Sequence, residues 1–327
     1  MTATAPALAV AGRLLATRLA ERAVLACLGA SAPTAVPAAA RARARPRPCP
    51  DAALPIWLLV AGAEVDAAAA ARALGAALPP LTAAGLVVGD GERLRATAAV
   101  VALGAGLVVV DRLDATGADV VPWPDDSSLH LVGCLPAGHL GAWLDVGTGA
   151  GVAPLAAGPR AARVRATDVS ALALARAAQG AALSGRGELE LVQADLLDGA
   201  GLGPDPDARW DLITFNAPLP AAHAAGPTST WHREAPGAAL VPRFWQAAAA
   251  HLAPGGEVLV HSAIDADPWA VHAGRGGAWT IARYTPPGVP GFAVTRWQPH
   301  GPARRELVDV ALGRGRPYLR RADLAPW

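Results

Sequence analysis

The sequence contains no lysine: all 28 of its basic residues are arginine. They offset 27 acidic residues to leave a formal net charge of +1, so no global field draws the chain to nucleic acid. Nucleic acid as a substrate is therefore unsupported rather than excluded. Alanine, glycine and proline are abundant, and with arginine the only basic residue, its count reflects base composition more than function. Cysteines number three, Cys27, Cys49 and Cys134, odd in count and with no C-x-x-C pair. That excludes a disulfide framework and a zinc-site pattern and suits a reducing cytoplasm. Long apolar runs are missing too. Arg13, Arg18, Glu21 and Arg22 interrupt the N-terminal stretch, which reads as an amphipathic helix rather than a signal sequence. The run from Ala52 to Ala63 falls well short of the roughly 20 residues a membrane helix needs, so no membrane partner is expected.

A chain of 327 residues with 53% hydrophobic content can build one large domain and a smaller one. Residues 1–120 read as the smaller, helical and winged-helix-like. Leu8, Leu14, Leu15, Leu19 and Leu25 share a helical face from Pro6 to Gly29. The Arg/Pro-rich segment 32–50 then breaks the pattern and reads as a solvated linker, with contact to an acidic partner as the alternative. A second helix runs from Glu64 to Leu78, closed by Pro79 and Pro80, and a short one carries Leu81, Ala84 and Leu86. Gly89-Asp90-Gly91 between apolar segments signals a hairpin, and Gly106 to Arg112 is one more strand. The helix in the recognition position has almost no polar side chains to read bases, which favours a packing or substrate-recruiting role over DNA binding. The turn Val121-Pro-Trp-Pro-Asp-Asp leads into the second domain, 121–327, where Asp125 to Ser128 precede an apolar run as an N-capped helix beside the cleft.

The second domain is organised around Gly141 to Ala157, a buried strand, a glycine turn and a helix. Gly147, Gly149 and Gly151 remove side chains where the backbone approaches a ligand. A dinucleotide fingerprint would place its third glycine at Val152, counted from Gly147, or at Pro154, counted from Gly149, so counting rejects it. Asp145, two residues before the first glycine, suits a cationic or hydroxyl-bearing ligand. Further strands end in polar residues: Ala162 to Val169 with Asp168, Leu189 to Asp195, and Asp211 to Ala217 with Asn216. In a doubly wound fold, ligands bind outside such carboxyl ends, and Asp168 is placed to accept from a ribose diol. Gly256 to Ile264, Trp279 to Tyr284 and Arg304 to Leu312 bring the strands to seven.

D-x-G-x-G-x-G after an apolar strand resembles motif I of the class I S-adenosylmethionine (SAM) methyltransferases, and the resemblance covers about Leu129 to Gly313. It implies an α/β, Rossmann-like, seven-stranded doubly wound sheet, with SAM as cofactor and S-adenosylhomocysteine as product. It places Asp145 near the amino end of the SAM methionine moiety and Gly147, Thr148, Gly149 and Gly151 along it. Asp168 and Val169, Asp195 and Leu196, and Asn216 then complete the cofactor contacts, with Asp195 near the adenine amine.

Asn216-Ala217-Pro218-Leu219 is similar to the N-P-P-Y/F motif of amino-methyltransferases, including the HemK-like and small-domain enzymes. In that family the Asn side-chain oxygen and the next carbonyl accept the two N–H bonds of a planar nitrogen, turning its lone pair toward the methyl. Leu219 stands where the family has an aromatic ring, which weakens stacking, and Ala217 replaces the stiffer first proline. The segment from Pro220 to Phe244 has loop character and carries His223, Trp231, His232 and Arg233. Either histidine is a candidate base, Arg233 a candidate for holding a substrate carboxylate, and Trp231 and Leu219 candidate acceptor contacts. His251, His261 and His272 share no spacing, and no metal is expected. The expected activity is N-methylation of a planar amide or amine in a protein, peptide or small molecule by direct displacement. O-methylation of a small metabolite with a loop histidine as base is the alternative, and a SAM-sensing DNA-binding regulator a remoter one.

Overall fold

The computed structural model describes residues 4–43, 49–117, 119–198, 202, 205, 207–218, 239–264, 267–269, 274–284, 291–313 and 316–324. Two compact units divide the chain. The first comprises Met1–Trp123, Ala150–Gly158 and Ala175–Gly187; the second comprises Pro124–Gly149, Pro159–Leu174 and Glu188–Trp327. Among the described residues no single helix is long and apolar enough to cross a membrane.

In the first unit, α1 (Ala5–Arg18) and α2 (Glu21–Leu28) replace the single helix expected between Pro6 and Gly29. The backbone leaves helical geometry at Leu19 and Ala20, which buries Leu19 beside Leu15 and lets Val24 and Leu28 turn onto the same core. After α3 (Val36–Ala42) and α4 (Leu54–Leu59) comes the short strand β1 (Val65–Asp66). Asp66 caps α5 (Ala67–Leu74), accepting from the Ala69 N–H at 2.8 Å. Pro79 and Pro80, expected to close the preceding helix, instead open α6 (Leu78–Ala83), where a missing N–H costs nothing. The hairpin at Gly89 to Gly91 forms between β2 (Val87–Gly89) and β3 (Arg93–Ala96), and β1 adds to it in the order β1-β3-β2. A second hairpin joins β4 (Ala98–Leu103) to β5 (Gly106–Asp111). Within this unit Arg176 pairs with Asp111 at 2.5 Å, and the Ser184 hydroxyl accepts from the Leu107 N–H at 2.8 Å.

The second unit opens with α7 (Asp126–Gly133), where the expected N-cap forms: the Asp125 carboxylate accepts from the Ser128 N–H at 3.1 Å. The elements that follow are β6 (Leu140–Val146), α8 (Val152–Ala157), β7 (Ala161–Asp168), α9 (Ala171–Leu183), β8 (Glu190–Gln193) and β9 (Trp210–Asn216). After them come α10 (Leu240–Ala250), β10 (Leu252–Ala263), β11 (Ala278–Tyr284), β12 (Phe292–Gln298) and β13 (Arg304–Asp309). The helices α8 and α9 contribute the first unit's Ala150–Gly158 and Ala175–Gly187 segments. The α/β doubly wound sheet is present, with eight strands rather than seven, in the order β13-β11-β12-β10-β9-β6-β7-β8. From β10 to β8 the neighbours are parallel, while β12 runs antiparallel between β10 and β11. The added strand is β12, and β13, expected as the seventh, lies outside it, parallel to β11. The alternation in β12 is hidden because Arg296 is buried, its guanidinium on Glu257 at 2.7 Å; an arginine in the strand reads as solvent-facing when it is in the core.

One face of this sheet carries an aromatic core. Trp210, Phe215, Phe244, Trp245, Trp279 and Trp297 cluster there, with Phe215 of β9 stacked on Phe244 of α10 at 4.7 Å between centroids. Each such side chain contributes on the order of 2–3 kcal/mol by leaving water. Residue alternation then sends Asn216 to the opposite face, toward α7.

Candidate active site

Strand order reverses beside β6: β7 and β8 lie on one side, β9 and β10 on the other. At such a switch point the loops after the strands diverge and leave a crevice. The registers Val146↔Thr167, Val146↔Phe215 and Phe215↔Val260 align the tips, so Asp168, Gly147, Asn216 and His261 form a row across the sheet.

Asp145 is buried, only 3% exposed, at the foot of the glycine turn. Its Oδ2 accepts from the Thr148 hydroxyl at 2.6 Å and its Oδ1 from the Thr214 hydroxyl at 2.5 Å. Thr214 in turn accepts from the Trp143 indole N–H at 2.8 Å, so each polar group in this buried chain has a partner. Burial raises the Asp145 pKa to about 6 against the lowering effect of the two hydroxyls, and the nearby charge of Asp168 adds to the rise.

Gly147 and Gly149 adopt φ of 62° and 56°, left-handed values that favour glycine, and a Cβ at Gly149 would meet nothing within 4 Å. A Cβ at Gly147 would meet the Phe215 ring at 3.4 Å. Gly151, the N-cap residue of α8, belongs to the first unit. Asp168 accepts from the Gly149 N–H at 2.7 Å through Oδ2 and from the Ser170 N–H at 2.8 Å through Oδ1. Desolvation nevertheless pushes its pKa up. Val169, next along, is 40% exposed, an apolar surface at the strand tip. Asp195 and Leu196 are half-buried after β8, Leu196 opening a short 3-10 turn.

Asn216 ends β9. Its Nδ2 donates to the Ser127 and Ser128 hydroxyls at 2.9 and 3.3 Å, whereas its Oδ1 is buried with no hydrogen-bond partner among the described residues. A buried amide oxygen left unpaired costs about 1–3 kcal/mol, so the site carries an unfilled acceptor. Ala217 donates its N–H to the His261 carbonyl at 2.9 Å, which fixes the Asn216-Ala217 backbone against β10, and Pro218 follows half-buried. Leu219, His223, Trp231, His232 and Arg233 lie outside the described residues.

Sequence reasoning passed over two histidines that sit here. His261 is in register with Asn216, its Nε2 lies 2.8 Å from the Tyr284 hydroxyl, and its Nδ1 has no partner among the described residues. His130 of α7 stacks over it at 6.3 Å and accepts from the Leu319 N–H at 2.9 Å. Burial lowers both pKa values to about 4, so both rings are neutral near pH 7. No spacing marks this pair in the sequence, because its members come from a helix and a strand 131 positions apart (261 − 130).

Residues 123–264 match the methyltransferase small domain family. No curated protein matches the chain. Solved structures similar to it include a complex of DhpI with S-adenosylhomocysteine, 23% identical, covering 50% of this chain and 78% of that one at a TM-score of 0.34. The ribosomal protein L11 methylase from Lactobacillus delbrueckii subsp. bulgaricus is 21% identical over 53% of this chain and 78% of its own, TM-score 0.39. A SAM-dependent methyltransferase from Agrobacterium tumefaciens is 16% identical over 65% and 76%, TM-score 0.41. The doubly wound sheet with a glycine turn at its switch point is the class I methyltransferase fold, and it carries the family match over 123–264. SAM is the cofactor that this match implies, and among the described residues the strand tips carry groups that fit it: a glycine turn, a carboxylate with lone pairs to spare at Asp168, and an apolar surface at Val169.

Proposed function

We propose that the enzyme methylates a nitrogen acceptor, a planar amide or an amine, by direct displacement, and that Asn216 orients it. One observation carries this reading: among the described residues the Asn216 Oδ1 is a buried hydrogen-bond acceptor without a donor, while the other end of the same amide is fully engaged. A planar nitrogen has its lone pair conjugated and attacks poorly. Two N–H bonds, one to Asn216 Oδ1 and one to the Ala217 carbonyl, hold the nitrogen with its lone pair perpendicular to the amide plane. Positioning of this kind lowers a barrier by several kcal/mol, about 7–11 at its limit.

SAM supplies an electrophilic methyl on a sulfonium. Gly147, Thr148 and Gly149 would hold its methionine moiety, Asp168 would accept from its ribose hydroxyls, and Val169, Asp195 and Leu196 would adjoin its adenine. Asp145 acts chiefly by holding Thr148 and Thr214, and so the turn itself. The motif relates the enzyme to the HemK-like and small-domain amino-methyltransferases, with Leu219 in place of an aromatic ring. Loop residues Trp231 and Arg233 contact the acceptor in this reading. The order β1-β3-β2 behind helices α5 and α6 supports a winged-helix module in the N-terminal unit, with a substrate-recruiting role.

Incubation with methyl-tritiated SAM and fractionated cell extract, followed by mass-spectrometric mapping, tests the proposal. Label on an amide or amine nitrogen is expected. Label on a hydroxyl or carboxylate oxygen, with His223 or His232 as base, would replace the nitrogen reading.

A further inference from the structure

Asn216 is the sole asparagine of the chain, and its amide is held by a relay that begins at Asp125. Asp125 Oδ1 accepts the Ser127 hydroxyl proton at 2.5 Å and the Ser128 hydroxyl proton at 3.1 Å. Each hydroxyl has one proton to give, and a carboxylate oxygen can only take it. The two serine oxygens are thereby left as acceptors toward Asn216, and the group they face at 2.9 and 3.3 Å must be the NH2. The amide oxygen is turned to the other side, where it has no partner among the described residues.

This matters because rotation about the terminal torsion of asparagine is broad and roughly two-fold. A flipped amide would present N–H donors to an acceptor nitrogen that is itself a donor, and two donors repel. We propose that Asp125, Ser127 and Ser128 are positioning residues that fix the Asn216 amide with its oxygen toward the methyl acceptor. The inference rests on the nitrogen-orienting reading of Asn216. It makes the N-terminus of α7 part of the acceptor site, 88 and 89 residues away in sequence.

Selective 15N-asparagine labelling of the full chain gives a single side-chain NH2 signal, which reports on the relay without any acceptor. In the Ser127→Ala/Ser128→Ala variant its proton exchange with water rises by about tenfold or more as the protecting bonds are lost. Methyl transfer from tritiated SAM to the labelled extract fraction falls by roughly 10- to 100-fold, with SAM affinity unchanged, because only acceptor geometry has been disturbed. Ser127→Thr/Ser128→Thr, which keeps both hydroxyls, recovers most of that transfer. The double alanine change costs nothing further in an Asn216→Ala background, since residues acting through one group are non-additive. Unchanged exchange and transfer in the serine variant, with Asn216→Ala inactive, would overturn the positioning inference alone. Full transfer by Asn216→Ala would overturn the reading beneath it. Additive losses would assign the serines a structural role and overturn the inference as well.

Discussion

At the scale of single residues, the site depends on pairing buried polar groups and leaving one unpaired. Thr214 shows the first half. Its hydroxyl, fully buried in β9, accepts from Trp143 and donates to Asp145. Thr214→Val, close in volume but without the hydroxyl, strands an indole N–H and removes one of the bonds that holds the Asp145 pKa down. The expected loss is about 3 kcal/mol in urea unfolding. The Asp145 carboxyl should also titrate above its present value of about 6, as read by carboxyl-selective NMR. An unfolding midpoint and a titration equal to wild type would show that the Thr214 bond contributes nothing. Asn216 shows the second half. Its unpaired oxygen is a cost tolerated by the folded chain, as expected where a ligand supplies the missing donor.

At the scale of elements, β12 completes the far side of the sheet although Arg296 is buried, its guanidinium reaching Glu257 and the Leu324 carbonyl. Glu257 of β10 compensates it and also accepts from Arg321 at 2.7 Å. Arg296→Met leaves the Glu257 charge under-compensated, and a loss of about 3–5 kcal/mol is expected. Glu257→Leu/Arg296→Met should be more stable than Arg296→Met in the same denaturation measurement; a double variant less stable than the single one would contradict a pairing role. The same arginine explains what the sequence concealed. The strands with Asp145, Asp168 and Asn216 near their tips were legible because apolar runs with a polar residue at the tip survive without tertiary knowledge. The Asp125 cap of α7 was legible for the same reason. The link from Ser127 and Ser128 to Asn216, the burial of Asp145 by Thr214 and the meeting of His130 with His261 were not, because each depends on partners that only strand order brings together.

At the scale of the whole molecule, the buried ionisable groups set how stability follows pH. His130 and His261 have folded pKa values of about 4, below the ordinary 6.5, so the unfolded chain binds more protons between these values. Their contribution is fully present above about pH 6.5 and is lost as pH falls toward 4. Asp145, raised from 3.8 to about 6, works in the opposite sense: its contribution grows as pH falls through 6. Asp126 and Asp168, also raised by burial, act in the same sense as Asp145, so the histidine contribution is read by difference. Between pH 7 and pH 4.5 the urea midpoint of wild type should change less favourably than that of His261→Gln as pH falls; parallel profiles would contradict the burial of neutral imidazoles.

The first unit carries its own expectation. Its core cluster joins Leu183 to Val100, Leu107 and Val109, and the unit includes Ala150–Gly158 and Ala175–Gly187. A fragment of residues 1–123 lacks those segments and should melt without a cooperative transition in circular dichroism. A sharp transition matching that of the full chain would show that the segments are dispensable.

The proposed role of Asn216 is to hold the acceptor nitrogen. Its most direct test is Asn216→Ala, assayed for SAM affinity by calorimetry and for methyl transfer from tritiated SAM to the extract acceptor. SAM binding is expected within about twofold of wild type and transfer reduced by ~100-fold or more. Transfer at the wild-type rate with normal SAM binding would contradict it.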